Sequence, residues 1–433
     1  MGINILGRHL VWSRPNGNGG TTFYYYYDEI TWVVLALALA WVAWLFVARY
    51  RRARALRRPP PRRIDRRLLR RVVRLKQELS AAFMRPGFSA NIHAVGVGVL
   101  AATGEYCIQV FVADATRELW HGVGATRLPE DFRGVPLRLY EMAPADFLSA
   151  AGDGPPAAAT PVQYPEGIRD PQEVIVGGIS AANTNLTGQS GTIGYFCTRR
   201  SRLPLRAAAK PLHFFSNYHV LGDMRRTNVD DSDLIMQPSP GEPSSNRPIG
   251  TLVSFSAVKF GGTTDEANRV DAALARLWEP QRHKPLIPCI GAVKGYVPKE
   301  EVEAGEAARK FGRTTGYTEG RVFSIYLDIR VRYDRTGQSA LFRDQFLIEP
   351  AAPRFTSFVK KGDSGSVVVD GGRHAFGLIF AGAPEVPEST LARPHAEPAD
   401  AAAAAGEPRR IENYGVANPI SEVLDRLRID LLV

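Results

Sequence analysis

The rhythm of apolar and polar positions changes several times along the chain. Residues 30–47 (ITWVVLALALAWVAWLFV) carry no charge over 18 positions. That is about the shortest run that crosses a bilayer core as a helix. Trp32, Trp41 and Trp44 suit such a helix, and Tyr24 to Tyr27 supply an aromatic belt at its entry. The predicted element is one transmembrane helix over 30–48. In the basic stretch after it, Ile64, Leu68, Leu69, Val72, Val73 and Leu75 recur at helical spacing. They predict an amphipathic juxtamembrane helix within 49–83. Residues 84–150 alternate apolar runs with turn signals. Strands are predicted at 93–100, 106–113 and 135–140, and a loop or short helix at 128–132, which makes a small α+β domain. Proline, glycine and alanine then crowd 151–174, a linker. From 175 to 433 short β-rich runs recur, at 192–198, 211–216, 249–258, 270–277, 288–294, 308–312, 320–333, 344–349, 365–370 and 374–381. Helical periodicity returns only at 420–427. So many short strands predict a barrel or sandwich. Ala383 to Pro408, rich in Ala, Pro and Glu, breaks the rhythm and reads as a disordered insertion.

Charge sharpens the N-terminal picture. The formal net charge of +10 suggests a nucleic-acid partner. Arg49 to Lys76, however, holds 13 Arg, 1 Lys and 1 Asp, a net of +13, so the rest of the chain is at −3. A block of that kind beside an apolar run is a topology signal and excludes nucleic acid as the expected partner. Asp28 and Glu29 precede the run and the arginines follow it, the wrong polarity for a signal peptide. The first 29 residues should therefore lie outside the inner membrane and everything after Arg49 in the cytoplasm. The arginines would also hold to anionic headgroups. A composition 45% hydrophobic and 23% charged excludes wholesale disorder. Three cysteines, Cys107, Cys197 and Cys289, have neither disulfide-scaffold nor zinc spacing. No Gly-rich phosphate loop is present. Neither a cofactor nor a metal is expected.

Candidate chemistry lies in the β-rich part. Ser216-Asn217-Tyr218-His219 puts a histidine where a strand ends and a turn begins. Val270-Asp271-Ala272-Ala273-Leu274 puts a carboxylate into an apolar strand, where it needs a partner. Gly362-Asp363-Ser364-Gly365-Ser366 puts a serine between glycines, in a turn that can aim N–H groups at one point. A serine hydroxyl needs a base, histidine is the base suited to neutral pH, and a buried carboxylate fixes its tautomer. Asp223, Asp230, Asp231 and Asp233 are alternative acids but read as solvated loop. His213 reads as structural, as do Cys107 and His121.

NYHVL, VDAAL and GDSGS, in the order His, Asp, Ser, resemble the chymotrypsin/trypsin-like serine peptidases over about residues 175–433. Lys310 to Gly316, Gly320-Arg321-Val322, Gly377 to Gly382 and Ala417-Asn418-Pro419-Ile420 resemble a bacterial subgroup, also similar to the plant narrow-leaf proteases. There a small GVGVG-containing domain precedes the protease, as at Val95 to Val99. The resemblance implies a mainly β double six-stranded barrel with a cleft between the barrels. It implies His219 as general base, Asp271 as orienting acid, Ser364 as nucleophile, and the N–H groups of Gly362 and Ser364 as oxyanion hole. Phe358, Phe380, Ala381 and Gly382 would bind substrate, with an apolar or small residue preferred before the scissile bond. Val220 stands where secreted members have a cysteine, in keeping with a reducing compartment. Ile175-Val176-Gly177-Gly178 copies the new N-terminus that activates trypsin zymogens by pairing with the residue at Asp363. The plainer reading is a strand start with a glycine turn. The expected molecule is a membrane-anchored serine endopeptidase acting on proteins or peptides in stress or defence signalling. The alternative is a latent or pseudoprotease peptide-binding module on the same tether. A homo-oligomer is compatible with either.

Overall fold

The computed structural model describes residues 4–5, 8–15, 21–27, 29–55, 65–119, 128–148, 150–151, 167–186, 188–200, 211–224, 226, 228–230, 232–333, 338–384 and 408–433. Much of the 151–174 linker, His121, and nearly all of the 383–408 insertion lie outside them. The chain falls into two units, one holding the described residues up to Ala55 and the other those from Asp65 on.

In the first unit Arg8–Pro15 and Thr21–Tyr27 pair as antiparallel strands, and Asn4–Ile5 adds to the former. A helix follows over Glu29–Ala55, a stretch without proline or glycine to break it. Side chains are described for residues 34–47; apart from the half-buried Leu45 and the small alanines they present large apolar surface, with Trp44 at 63% and Phe46 at 69% exposure. Among the described residues no helix is long and apolar enough to cross a membrane.

The second unit corrects two expectations. The amphipathic helix is real, at Arg66–Phe83, and Asp65 caps it by accepting from the N–H groups of Arg67 (2.9 Å) and Leu68 (3.1 Å). Its apolar face does not lie on a bilayer. Leu69, Val72, Leu75 and Leu79 belong to a protein core together with Val95, Val97, Ile108 and Ile325. Each such side chain contributes about 1.5–3 kcal/mol by leaving water. Lys76 lies in the same face, fully buried, with Nζ 2.8 Å from Asp328 Oδ1, and Ser80 Oγ donates to Asp328 Oδ2 (2.6 Å). Nor is 84–150 a separate domain. Its strand Ile92–Val99 pairs with the far half of Gly316–Tyr333, Val97 against Ile325 and Val95 against Asp328. Tyr106–Val112 and Val135–Met142 extend the same sheet. An 18-residue strand is longer than a barrel wall needs, and its overhang carries the N-terminal strands.

Two closed rings of six antiparallel strands form the rest. In the first, Ser180–Asn183 pairs with Gln189–Thr192, which bends at Ile193-Gly194 into Tyr195–Arg199. The ring continues through Leu212–Ser216, Ala273–Leu277, Arg247–Phe255 and Leu234–Gln237 back to Ser180–Asn183. In the second, Ala307–Gly312, Gly316–Tyr333, Gln338–Pro350, Gly415–Pro419, His374–Gly382 and Val367–Val369 close on Ala307–Gly312. Closure leaves no free edge along the rings. The strand predicted at 288–294 is a turn, as Pro285, Pro288 and the left-handed Cys289 (φ 62°) dictate. After the helix Ile420–Leu427, the last strand Ile429–Leu431 crosses back to pair with Tyr195–Arg199 of the first ring.

Candidate active site

His219 sits in a single helical turn, Tyr218–Leu221, directly after the strand Leu212–Ser216. Asp271 lies just before the neighbouring strand Ala273–Leu277. The register Ser216 opposite Ala273 brings the two residues together. Asp271 Oδ2 pairs with His219 Nδ1, while Oδ1 accepts from the N–H groups of Tyr218 (2.6 Å) and His219 (3.3 Å). Asn418 Oδ1 accepts from Asp271 N–H (2.9 Å), and Asn418 Nδ2 donates to Gln345 Oε1 (2.6 Å). Every oxygen of this fully buried carboxylate is thus satisfied, which is the condition for keeping it inside. With Nδ1 committed to Asp271, the ring can take a proton only at Nε2, a buried atom without a partner.

Ser364 is placed by the second ring and locked to the first. Thr192 N–H donates to Ser364 O (2.8 Å), and Ser216 Oγ donates to Thr192 O (2.7 Å). Thr192 thereby ties the nucleophile loop to the strand that ends three residues before His219. Gly365 cannot be replaced at this crossing. Its φ is +95°, and a Cβ there would meet Ser216 Oγ at 2.0 Å and Thr192 O at 2.2 Å. Ser364 Oγ lies 3.4 Å from Phe380 O and makes no hydrogen bond to His219. Asp271 and His219 are assembled; the serine hydroxyl is turned aside.

Asp363 holds the turn from behind. It accepts from the N–H groups of Thr314 (2.9 Å), Thr315 (3.1 Å) and Lys360 (3.0 Å), and Lys310 Nζ is 3.1 Å away with both side chains fully buried. Burial alone would raise its carboxyl pKa. The Lys310 charge, the Thr315 hydroxyl and the N–H groups outweigh that and hold it below the ordinary 3.8. Lys310 thus fills the place that the zymogen-like reading gave to a freed amine at Ile175. Ile175 is internal and buried, its N–H donating to Arg282 O (2.7 Å).

The proposed substrate-binding residues separate. The Phe358 ring is fully buried in the second core, against Gly320 and Gly415, and shares that core with Leu148. Phe380, Ala381 and Gly382 form a strand edge, and it is covered: Ala381 pairs with Phe147 and Gly382 with Asp146 of the short strand Ala145–Phe147. Leu148 N–H donates to Phe380 O (3.4 Å), and Gly362 N–H donates to Leu148 O (2.7 Å). The Phe147 ring stands edge-on to His219, centroids 5.2 Å apart. Nothing in the sequence marked 145–148, whereas Lys310 and Asn418 fell in stretches already singled out. Among the alternative acids Asp233 is a correction: it is buried, accepts from Asn183 Nδ2 (2.9 Å), and anchors a loop away from the histidine. Asp223 is buried too; Asp231 lies outside the described residues. Among the described residues no cluster of three His, Cys, Asp or Glu could hold a metal.

No family model and no curated relative matches the chain. Solved structures similar to it include a glutamic acid-specific serine protease, at 14% identity and TM-score 0.34 over 60% of this chain and 100% of that one. Another is the chymotrypsin of Cellulomonas bogoriensis, at 16% identity and TM-score 0.33 over 61% and 98%. A third is Deg5, at 13% identity and TM-score 0.27 over 49% and 83%. The likeness is one of chymotrypsin-like fold.

Proposed function

We propose that the chain is a serine endopeptidase in which Ser364 is the nucleophile, His219 the base and Asp271 the group that orients it. The observation that carries this reading is the fully satisfied Asp271–His219 pair, tied through Ser216 and Thr192 to the turn that presents Ser364. Ser364 Oγ would attack a peptide carbonyl and pass its proton to His219 Nε2, which returns it to the leaving nitrogen. The N–H groups of Gly362 and Ser364 would hold the oxyanion, at roughly 3–4 kcal/mol per donor. Fluorophosphonate labelling tests this with the cleft cleared of the covering segment by Phe147→Gly/Leu148→Gly: that form should react, and the same form carrying His219→Ala or Ser364→Ala should not. Equal labelling of Ser364→Ala would sink the assignment. The second reading is a latent peptide-binding module, favoured by the covered strand edge and by the serine hydroxyl turned toward Phe380 O.

The proposed single-span anchor, with the catalytic unit on the cytoplasmic side, rests on the sequence alone, on the uncharged run 30–47 and the thirteen arginines after it, since among the described residues no helix is long and apolar enough to cross. A protease so placed would make limited, regulatory cuts in proteins that reach the membrane. Cys289 is exposed and Cys107 and Cys197 are buried, which supplies the orientation test. A membrane-impermeant maleimide should label Cys289 in lysed but not in intact spheroplasts. Labelling in intact spheroplasts would reverse the orientation.

A further inference from the structure

We propose that this chain is its own first substrate, and that the bond it presents to Ser364 is the one after Leu148. The inference rests on the peptidase reading above. A peptidase must grip an extended backbone on both sides of the scissile bond and seat the carbonyl on the oxyanion donors. Residues 145–148 and 150–151 meet both demands. On the acyl side Asp146 pairs with Gly382, Phe147 with Ala381, and Leu148 N–H donates to Phe380 O. On the amine side Ala150 pairs with Ser190 and Ala151 with Gln189 of the first ring. The gripped stretches belong to different barrels, and one residue, Ser149, separates them in the sequence. The Leu148 carbonyl accepts from Gly362 N–H at 2.7 Å, within the range expected of an oxyanion-hole donor.

The side chains agree with the backbone. Leu148 is 1% exposed and packs in the second core with Phe358 and Val359. Gly382 makes room for it: a Cβ there would come within 3.3 Å of Leu148 Cδ2 and 2.6 Å of Val359 Cγ2. Asp146 is paired with Arg332, Nε to Oδ1 at 2.8 Å and Nη2 to Oδ2 at 3.2 Å. The preferred sequence is therefore an acid, an aromatic and then an apolar residue before the cut. In the reaction the Ser364 hydroxyl leaves Phe380 O, attacks Leu148 C, and gives its proton to His219 Nε2. The C–N bond breaks as the proton passes to the nitrogen of Ser149, leaving Leu148 as an ester of Ser364. Water then yields a Leu148 carboxylate and the free serine. Because Ala145–Phe147 is also paired with Val331 and Arg332 of the same chain, the event is intramolecular.

The test follows full-length wild type and Ser364→Ala by denaturing gel, intact mass and N-terminal sequencing. Wild type should give a fragment beginning at Ser149, at a rate independent of protein concentration, and Ser364→Ala should stay whole. Leu148→Asp, a charge in an apolar pocket, should slow the cut by roughly tenfold or more. A cut elsewhere, a cut in Ser364→Ala, or a rate proportional to concentration overturns the proposal. Fluorophosphonate labelling of Phe147→Gly/Leu148→Gly, whose segment no longer fills the cleft, separates the two readings. Labelling of that variant with an uncut wild type leaves the peptidase standing and makes 145–151 an inert strap. No labelling of that variant and no cut in wild type removes both.

Discussion

Asp271 accepts three hydrogen bonds from the turn it serves, so its charge is spent on orientation as much as on electrostatics. Asp271→Asn would keep the shape but offer Nδ1 an amide. We expect kcat to fall by roughly 10³–10⁴ with KM little changed, measured on a peptide of the Asp-Phe-Leu type. A fall confined to KM would argue that Asp271 only shapes the cleft. Lys310 is the residue-scale finding that motif reading could not assign. The sequence shows KFGR, but nothing in it says that the lysine turns inward to meet Asp363. Lys310→Met would strand a buried carboxylate at a cost of about 3–5 kcal/mol, read by urea unfolding; an unchanged midpoint would make the pair dispensable. The pair also sets an acid limit. Asp363 has a folded pKa held below 3.8, so its contribution is complete above that value. It is lost as pH falls through the depressed folded pKa, and Asp363→Asn should flatten the stability profile in that window.

At the scale of elements, the helix Arg66–Phe83 shows what periodicity conveys and what it omits. Spacing gave the apolar stripe correctly, yet a stripe does not name its partner, and the surrounding arginines pointed to lipid. Lys76 settles the matter, because a charge in the middle of the stripe is stable only opposite Asp328. Leu75→Ala should therefore destabilise the catalytic unit by about 2–5 kcal/mol. If the midpoint is unmoved and binding to anionic vesicles weakens instead, the helix is a membrane element after all. The same omission hid the role of 84–150. Its strands were legible, but pairing register across more than two hundred residues is set by tertiary packing, not by local pattern. The His, Asp and Ser turns were legible because each is a short local device that needs particular residue types. The segment 145–148 was not, since a bound strand needs only an extended backbone and a fitting side chain.

At the scale of the molecule, the two rings are stitched by chain that leaves one and returns to the other. Ile429–Leu431 is the clearest case, with Ile429 and Leu431 buried against the first ring. Truncation after Leu427 should lower stability by about 3–6 kcal/mol, the burial of two aliphatic side chains. Loss of labelling without loss of stability would instead place the strand's role at the site.

That stitching also sets a timetable. Asn418, which steadies Asp271, and the strand that completes the sheet around Tyr195–Arg199 both follow His219, Asp271 and Ser364 in the chain. During synthesis those residues emerge after most of both rings has been made. Domains that can fold during synthesis do so as they emerge; here Asp271 emerges 147 residues before the Asn418 that steadies it. A nascent chain halted before Asn418 would therefore carry His219 and Asp271 without the amide that holds the aspartate's backbone in place.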